Sequence, residues 1–236
     1  MLQEHTRDMK ISIIIPVLNE AECIGAQIRY LAEKGGDAIA EIIVVDANSE
    51  DGTASLALEA GARVLQSPVR SRAAQMNLGA CAAQTDVLYF VHADTVPPGS
   101  YVADIQSTFE AGYVMGCFAY RFDKDNFWLN INGYFNRYDF LWCQGGDKTF
   151  FIKKEIFEEL GGYDERFVIM EEYDFLRRAM PRYKLFTVQN FAVASSRKYL
   201  KNSWARVQIA NIITFNMFRL GVSPARMKQF YKMMVR

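Results

Sequence analysis

Cysteine is scarce and scattered in this 236-residue sequence: Cys23, Cys81, Cys117 and Cys143 form no C-x-x-C pair and have no histidines at metal-finger spacing. That excludes a disulfide framework and a zinc finger, and leaves reduced core thiols as the expectation. Net charge is lacking too, with 27 basic residues against 27 acidic ones, so nothing in the total draws the chain to nucleic acid. No apolar run approaches the length of a membrane span, and Met1 to Lys10 contains no stretch that could serve as a signal. The expected location is therefore cytoplasmic, with at most peripheral contact at the inner face of a membrane. No internal repeat and no low-complexity linker divide the chain, so a single domain over 1–236 is expected.

The most uneven absence is that of acid near the C-terminus. From Ser195 onward the sequence has nine basic residues and no Asp or Glu, which leaves 18 basic and 27 acidic residues before it. A basic end on an acidic body predicts attraction to a phosphate, a diphosphate or an anionic lipid surface, the alternative being a solvated helical end. Met227, Phe230, Tyr231 and Met234 recur there at helical spacing beside Arg226, Lys228, Lys232 and Arg236, a pattern that suits either a membrane surface or packing against the body.

What is present is an ordinary core, since half of the residues are apolar. Short apolar runs at Ile11 to Ile15, Ile42 to Val45, Ala62 to Leu65 and Val87 to Val91 read as buried strands, and helical patterns lie between them over Glu20 to Ala32, Asp51 to Ala60 and Arg72 to Ala83. This β-α alternation predicts an α/β fold with a mainly parallel central sheet, helices on both faces and a ligand crevice beyond the carboxyl ends of the strands. Residues 11–95 carry the β-α units, 96–195 are mixed and rich in aromatics between Phe127 and Trp142, which suits a surface that receives another molecule, and 196–236 form a basic helical end.

Three groups of residues follow predicted strands or open predicted helices in ways that suggest chemistry. Asp46 ends the second apolar run, where a carboxylate can accept from a base N–H or a ribose hydroxyl, while Ser49 or Asp51 caps the next helix. His92-Ala93-Asp94-Thr95 ends the fourth, and an imidazole and a carboxylate two residues apart can address one divalent ion. Met170-Glu171-Glu172-Tyr173-Asp174 opens a helix after Gly161-Gly162-Tyr163-Asp164-Glu165. Acids in a first turn suit the helix dipole, and an adjacent pair also offers a general base.

Pro16 to Glu20, Asp46 with Ser49 to Thr53, His92 to Asp94, and Gly161 to Glu165 followed by Glu171-Glu172 stand in the order and spacing by which the chain resembles glycosyltransferase family 2. The resemblance covers nearly the whole chain. Ser71 to Asn77, His92 to Thr95 and Ser195 to Tyr199 look like a bacterial subgroup known by its genomic association with radical-SAM and selenium-related domains. The family implies a single GT-A, nucleotide-diphospho-sugar transferase domain that is inverting and metal-dependent; the donor would be of UDP or GDP type, since uracil and guanine both offer an N–H to Asp46, and the hydroxyl acceptor, lipid-linked ones included, is named by neither family nor subgroup. Carried over by position, Pro16, Glu20, Asp46, Arg72, Ala93, Asp94 and Arg197 would bind the nucleotide sugar. Asp94 with His92 would hold Mn²⁺ or Mg²⁺, and Glu172, with Glu171 beside it, would be the base. Trp142, Gly146 and Asp147 would lie on the acceptor side, Trp142 either as a sugar platform or as core. The chain departs from the family where His92 replaces a usual Asp and Glu172 a usual Asp.

Two rival functions share parts of this pattern. A sugar nucleotidyltransferase needs a glycine-rich basic loop after the first strand, and Pro16 to Ile28 has only Gly25 and no Lys or Arg. A non-catalytic nucleotide-sugar-binding relative would be favoured by the substitutions at His92 and Glu172.

Overall fold

The β-α alternation folds as expected through the first hundred residues. In the computed structural model, which describes residues 9–144 and 148–235, β1 (Ile11–Val17), α1 (Ile24–Gly35), β2 (Ile39–Asp46), α2 (Thr53–Glu59), β3 (Arg63–Gln66), α3 (Arg72–Ala82) and β4 (Val87–Phe90) follow in turn. After them come β5 (Thr95–Val96), α4 (Tyr101–Glu110), β6 (Met115–Phe122), α5 (Phe127–Phe135), β7 (Phe150–Lys153), α6 (Lys154–Glu159), α7 (Glu171–Ala179), β8 (Leu185–Ala194), α8 (Arg197–Lys201), α9 (Trp204–Arg219) and α10 (Pro224–Met234). The strands join in one sheet of order β3-β2-β1-β4-β7-β6-β8-β5.

Strands β3, β2, β1 and β4 are parallel, as the sequence predicts. The other half is mixed, because β7 runs against both β4 and β6 while β6 and β8 are parallel. Strand β8 is not anticipated from the sequence. Its apolar run is interrupted by Gln189 and Asn190, and these exposed residues fall where the pairing with β6 shifts register between Phe118 and Tyr120. A bulge lets the polar pair leave the ladder, and Asn190 then donates to Asp104 Oδ1 of α4 at 2.8 Å.

Alternation along the strands divides the core into two layers. In β1 the side chains of Ile11, Ile13, Ile15 and Val17 meet Ile24, Ile28 and Leu31 of α1 on one face. Ile14 points the other way, into a layer with Met76 and Ala80 of α3 and Phe175 of α7. Close approach of α3 to the sheet depends on Gly79: a Cβ there would lie 2.5 Å from Ile14 Cγ2. At the C-terminal end, Met227 of α10 is fully buried in the packing against α9, so this part of the predicted apolar stripe faces the body.

Candidate active site

The loops after β1 and β2 are laced to each other. Ser49 Oγ accepts from the Asn19 amide at 2.9 Å, Asn19 Oδ1 accepts from the Glu50 amide at 2.9 Å, and Thr53 Oγ1 accepts from the Glu20 amide at 2.8 Å. Asp51 accepts from the amides of Ala21 at 3.1 Å and Thr53 at 3.0 Å. Neither Ser49 nor Asp51 is the expected cap, since Gly52 stands at the N-cap of α2 without a side-chain cap; Asp51 instead holds the Thr53 amide from just outside the helix, while Ser49 turns to Asp46 and Asn19. Asn19 and Asn48 both hold left-handed backbone, with φ of 56° and 62°, a conformation that Asn tolerates better than most residues. From beneath, Gln75 of α3 donates to the carbonyls of Val17 at 2.9 Å and Val45 at 2.7 Å, tying the carboxyl ends of β1 and β2 together. Pro16 sits in β1 opposite Val45.

Asp46 is 1 % exposed. Its carboxylate accepts from the Ser49 amide at 3.1 Å and from the Ser49 hydroxyl. It is thus an acceptor fixed at a strand end and engaged with its own loop. Sequence reasoning treated Gln75 as part of a recognisable run without a role, because a polar residue in an alanine-rich helix reads as surface until the helix face is known.

His92 and Asp94 leave β4 on one loop, with Ala93 between them buried. Gln27 of α1 pins this loop by donating to the Thr95 carbonyl at 2.7 Å. The two candidate metal ligands engage different partners. Asp94 Oδ2 lies 3.1 Å from an Arg197 nitrogen that also reaches Glu20 Oε2 at 2.8 Å, whereas His92 Nε2 lies 3.8 Å from Glu172 Oε1. Arg197 comes from α8, far along the chain. Its hydrogen bond to Glu20, joined by that to Asp94, holds the guanidinium more firmly protonated than usual. Nearby, burial and then Glu20 push the Cys23 thiol up to about 12, so this cysteine remains a thiol and is no nucleophile.

A divalent ion fits the chemistry of this donor set. Asp94 offers a partly exposed carboxylate and His92 an imidazole, a combination acceptable to Mn²⁺. Among the described residues no third His, Cys, Asp or Glu completes a cluster with them. Two such ligands would leave most of a coordination shell to phosphate oxygens and water, as is usual for Mg²⁺ beside phosphates.

Helix α7 brings the acidic pair to the same edge. Glu171 is 5 % and Glu172 18 % exposed in the side chain, and one Arg72 nitrogen lies 3.5 Å from a carboxylate oxygen of each. Arg72 opens α3, so α3 and α7 meet across this cation. The turn before α7 is held by Asn77, which donates to the Tyr163 carbonyl at 2.8 Å and accepts from its amide at 2.9 Å. Burial, with Glu172 and Glu171 next, raises the Tyr163 phenol well above its ordinary value, so it stays a neutral donor. Met170, just ahead of the pair, has φ of 67°; a non-glycine residue there carries backbone strain, as is common beside functional residues.

On the presumed acceptor side, Trp142 is largely exposed and stacks on Phe140 with centroids 6.2 Å apart, so of its two expected roles core packing does not apply. Gly146 and Asp147 lie outside the described residues. Flanking them, buried Gln144 and Lys148 line a narrow crevice with Glu172, Tyr163 and Phe175, and Lys148 Nζ donates to Gln144 Oε1 at 2.8 Å. A lysine that follows Gly145-Gly146-Asp147 in sequence gives no signal of burial, so Lys148 is not anticipated.

Comparison with known proteins gives the family and the fold. Residues 12–175 match the model of Glycosyl transferase family 2. A glucosyl-3-phosphoglycerate synthase of Mycolicibacterium smegmatis is 30 % identical over 96 residues, which are 37 % of this chain and 32 % of that protein. The match thus spans about a third of that relative. Among solved structures, a mannosyltransferase from Pyrobaculum calidifontis in complex with GDP-Man and Mn²⁺ superposes with a TM-score of 0.70 at 19 % identity, over 94 % of this chain and 68 % of its own. A glucosyl-3-phosphoglycerate synthase from Mycobacterium tuberculosis in complex with Mn²⁺, UDP-glucose and phosphoglyceric acid gives 0.64 at 19 %, over 94 % and 83 %. The fold is that of these GT-A neighbours.

Proposed function

Because this chain belongs to glycosyl transferase family 2, we propose that it moves a sugar from a UDP- or GDP-type nucleotide sugar to an acceptor hydroxyl, with inversion of the anomeric carbon and with Mn²⁺ or Mg²⁺ bound. The observation that carries this reading is the convergence of Asp46, Asp94, Arg197, Arg72, His92 and Glu172 at the carboxyl edge of β1, β2 and β4. Relatives of the same fold were solved with GDP-Man or UDP-glucose and Mn²⁺, which supports the donor class. The runs around Ser71, His92 and Ser195 support a place in the radical-SAM and selenium-associated subgroup.

Asp46 accepts a hydrogen bond from the nucleoside, its carboxylate already oriented by Ser49. Asp94 with His92 would hold the divalent ion, which when bound supplies positive charge against the diphosphate. Arg197, half-exposed between Glu20 and Asp94, adds a second cation on that side. Glu172 takes the proton from the acceptor hydroxyl as its oxygen bonds to the anomeric carbon; the bond from that carbon to the diphosphate oxygen breaks, and the nucleoside diphosphate leaves. Attack from the face opposite the leaving group inverts the carbon.

Glu172 is preferred to Glu171 as the base because it is the more exposed of the two, it contacts His92, and it lines the crevice with Gln144 and Tyr163. Glu172→Gln keeps the shape and removes proton acceptance, so transfer should fall by about two to four orders of magnitude with donor affinity unchanged. Glu171→Gln should retain more activity. Steady-state rates and donor titrations of both variants decide this, and greater damage from Glu171→Gln would reverse the assignment.

A further inference from the structure

The surface least explained by sugar transfer is aromatic. Phe127, Trp128, Tyr134, Phe135, Phe140 and Trp142 are each more than two-fifths exposed. Soluble monomers seldom leave so much contiguous apolar surface to water without a use for it. Ring contacts gather them in two groups that both include side chains of α5: Phe135 lies 6.0 Å from Trp142 and Phe140 stacks on Trp142, while Trp128 packs on Phe127 and lies 5.0 Å from Trp204 at the start of α9. Helix α9 extends the aromatic surface with exposed Ile209, Ile212 and Ile213. Between the two parts runs an apolar groove lined by Leu141, Trp142, Phe215 and Phe218 and edged by Arg177 and Arg219.

We propose that this face, formed by α5, the turn at Leu141 to Cys143 and α9, seats the protein on an anionic lipid surface. The charge decides the occupant. Exposed Lys201, Arg206 and Arg219 accompany the patch, in a C-terminal region that has nine basic residues and no acidic one; within the aromatic stretch Asp139 is offset by Arg137. A second copy bound through the same patch would bring two such basic regions together, whereas an anionic bilayer attracts them and takes aromatic side chains at its headgroup level. The contact lies on α5 and α9 and not on the methionine of α10, since Met227 is buried. The groove shares its elements with the crevice of the candidate base: Arg177 belongs to the helix that begins with Glu171 and Glu172, and Trp142 is two residues from Gln144, which lines the Glu172 crevice. A lipid-borne acceptor held there would present its polar end to Glu172, a consequence that rests on the transferase reading; the lipid contact itself does not.

Co-sedimentation with phosphatidylglycerol-containing vesicles and with pure phosphatidylcholine vesicles tests the contact without any activity assay. At low salt the protein should bind the anionic vesicles on the order of tenfold better, and the preference should shrink at about 0.5 M salt. Phe127→Ser with Phe140→Ser, both changes at exposed positions, should weaken anionic binding by about tenfold or more while the melting temperature is kept. If that pair impairs folding, Lys201→Gln with Arg206→Gln and Arg219→Gln carries the same test through charge. Wild-type protein that stays in the supernatant with both vesicles overturns the proposal, as does undiminished binding by the folded variants. A solution dimer that Phe127→Ser with Phe140→Ser dissociates would assign the face to a second copy instead.

Discussion

Arg197 shows how a single side chain joins the loops at the carboxyl ends of the strands. It joins Glu20, from the loop after β1, to Asp94, from the loop after β4, so three segments distant in sequence meet at one guanidinium. Both Asp94 and Arg197 are substantially exposed, and pairs of that kind contribute about 0–1 kcal/mol to stability. Asp94→Ala should therefore leave the fold within about 1 kcal/mol of the parent and abolish Mn²⁺-dependent binding of UDP or GDP. His92→Ala should weaken that binding less, because His92 also faces Glu172. Calorimetric titration alongside a thermal melt reads both quantities, and unchanged affinity in Asp94→Ala would remove this residue from the metal site.

At the scale of the element, α7 is positioned by a buried carboxylate of its own. Asp174 accepts from Arg177 at 2.7 Å and Arg178 at 3.0 Å, while Arg178 also donates to the carbonyls of Leu160 and Gly162 in the preceding turn. Removing one partner of a fully buried pair costs about 3–5 kcal/mol, yet both arginines here reach solvent, so Asp174→Ala should cost about 2 kcal/mol. A urea midpoint equal to the parent's would show that the cluster does not hold the helix. The start of α7 at Glu171 is legible from its acids and the glycine turn before it, and β1, β2 and β4 are legible from short apolar runs followed by Pro16, Asp46 and His92, although β1 continues through Pro16 to Val17. What could not be read were the long-range contacts. No local pattern says that Arg72 meets Glu172 or that Arg197 meets Glu20, and β8 was hidden by the polar pair in its bulge.

On the scale of the whole molecule, a parallel half-sheet delivers Asp46 and Asp94 to one edge, and the mixed half-sheet with α7 delivers Glu172 to the same edge. A core layer packs on each face of the sheet behind that edge. Family membership and fold are settled by the match over residues 12–175 and by the superpositions, which leaves the transfer itself as the central claim. The most direct measurement is nucleoside diphosphate release from a panel of UDP- and GDP-sugars with Mn²⁺, with water and then a cell extract as acceptor, for the parent and Glu172→Gln. One donor class should release its diphosphate, faster with the extract, with release lost on chelation and reduced by about two orders of magnitude or more in Glu172→Gln. Binding of a nucleotide sugar by folded protein with no release from any donor under either condition, or equal release by parent and variant, would contradict the account.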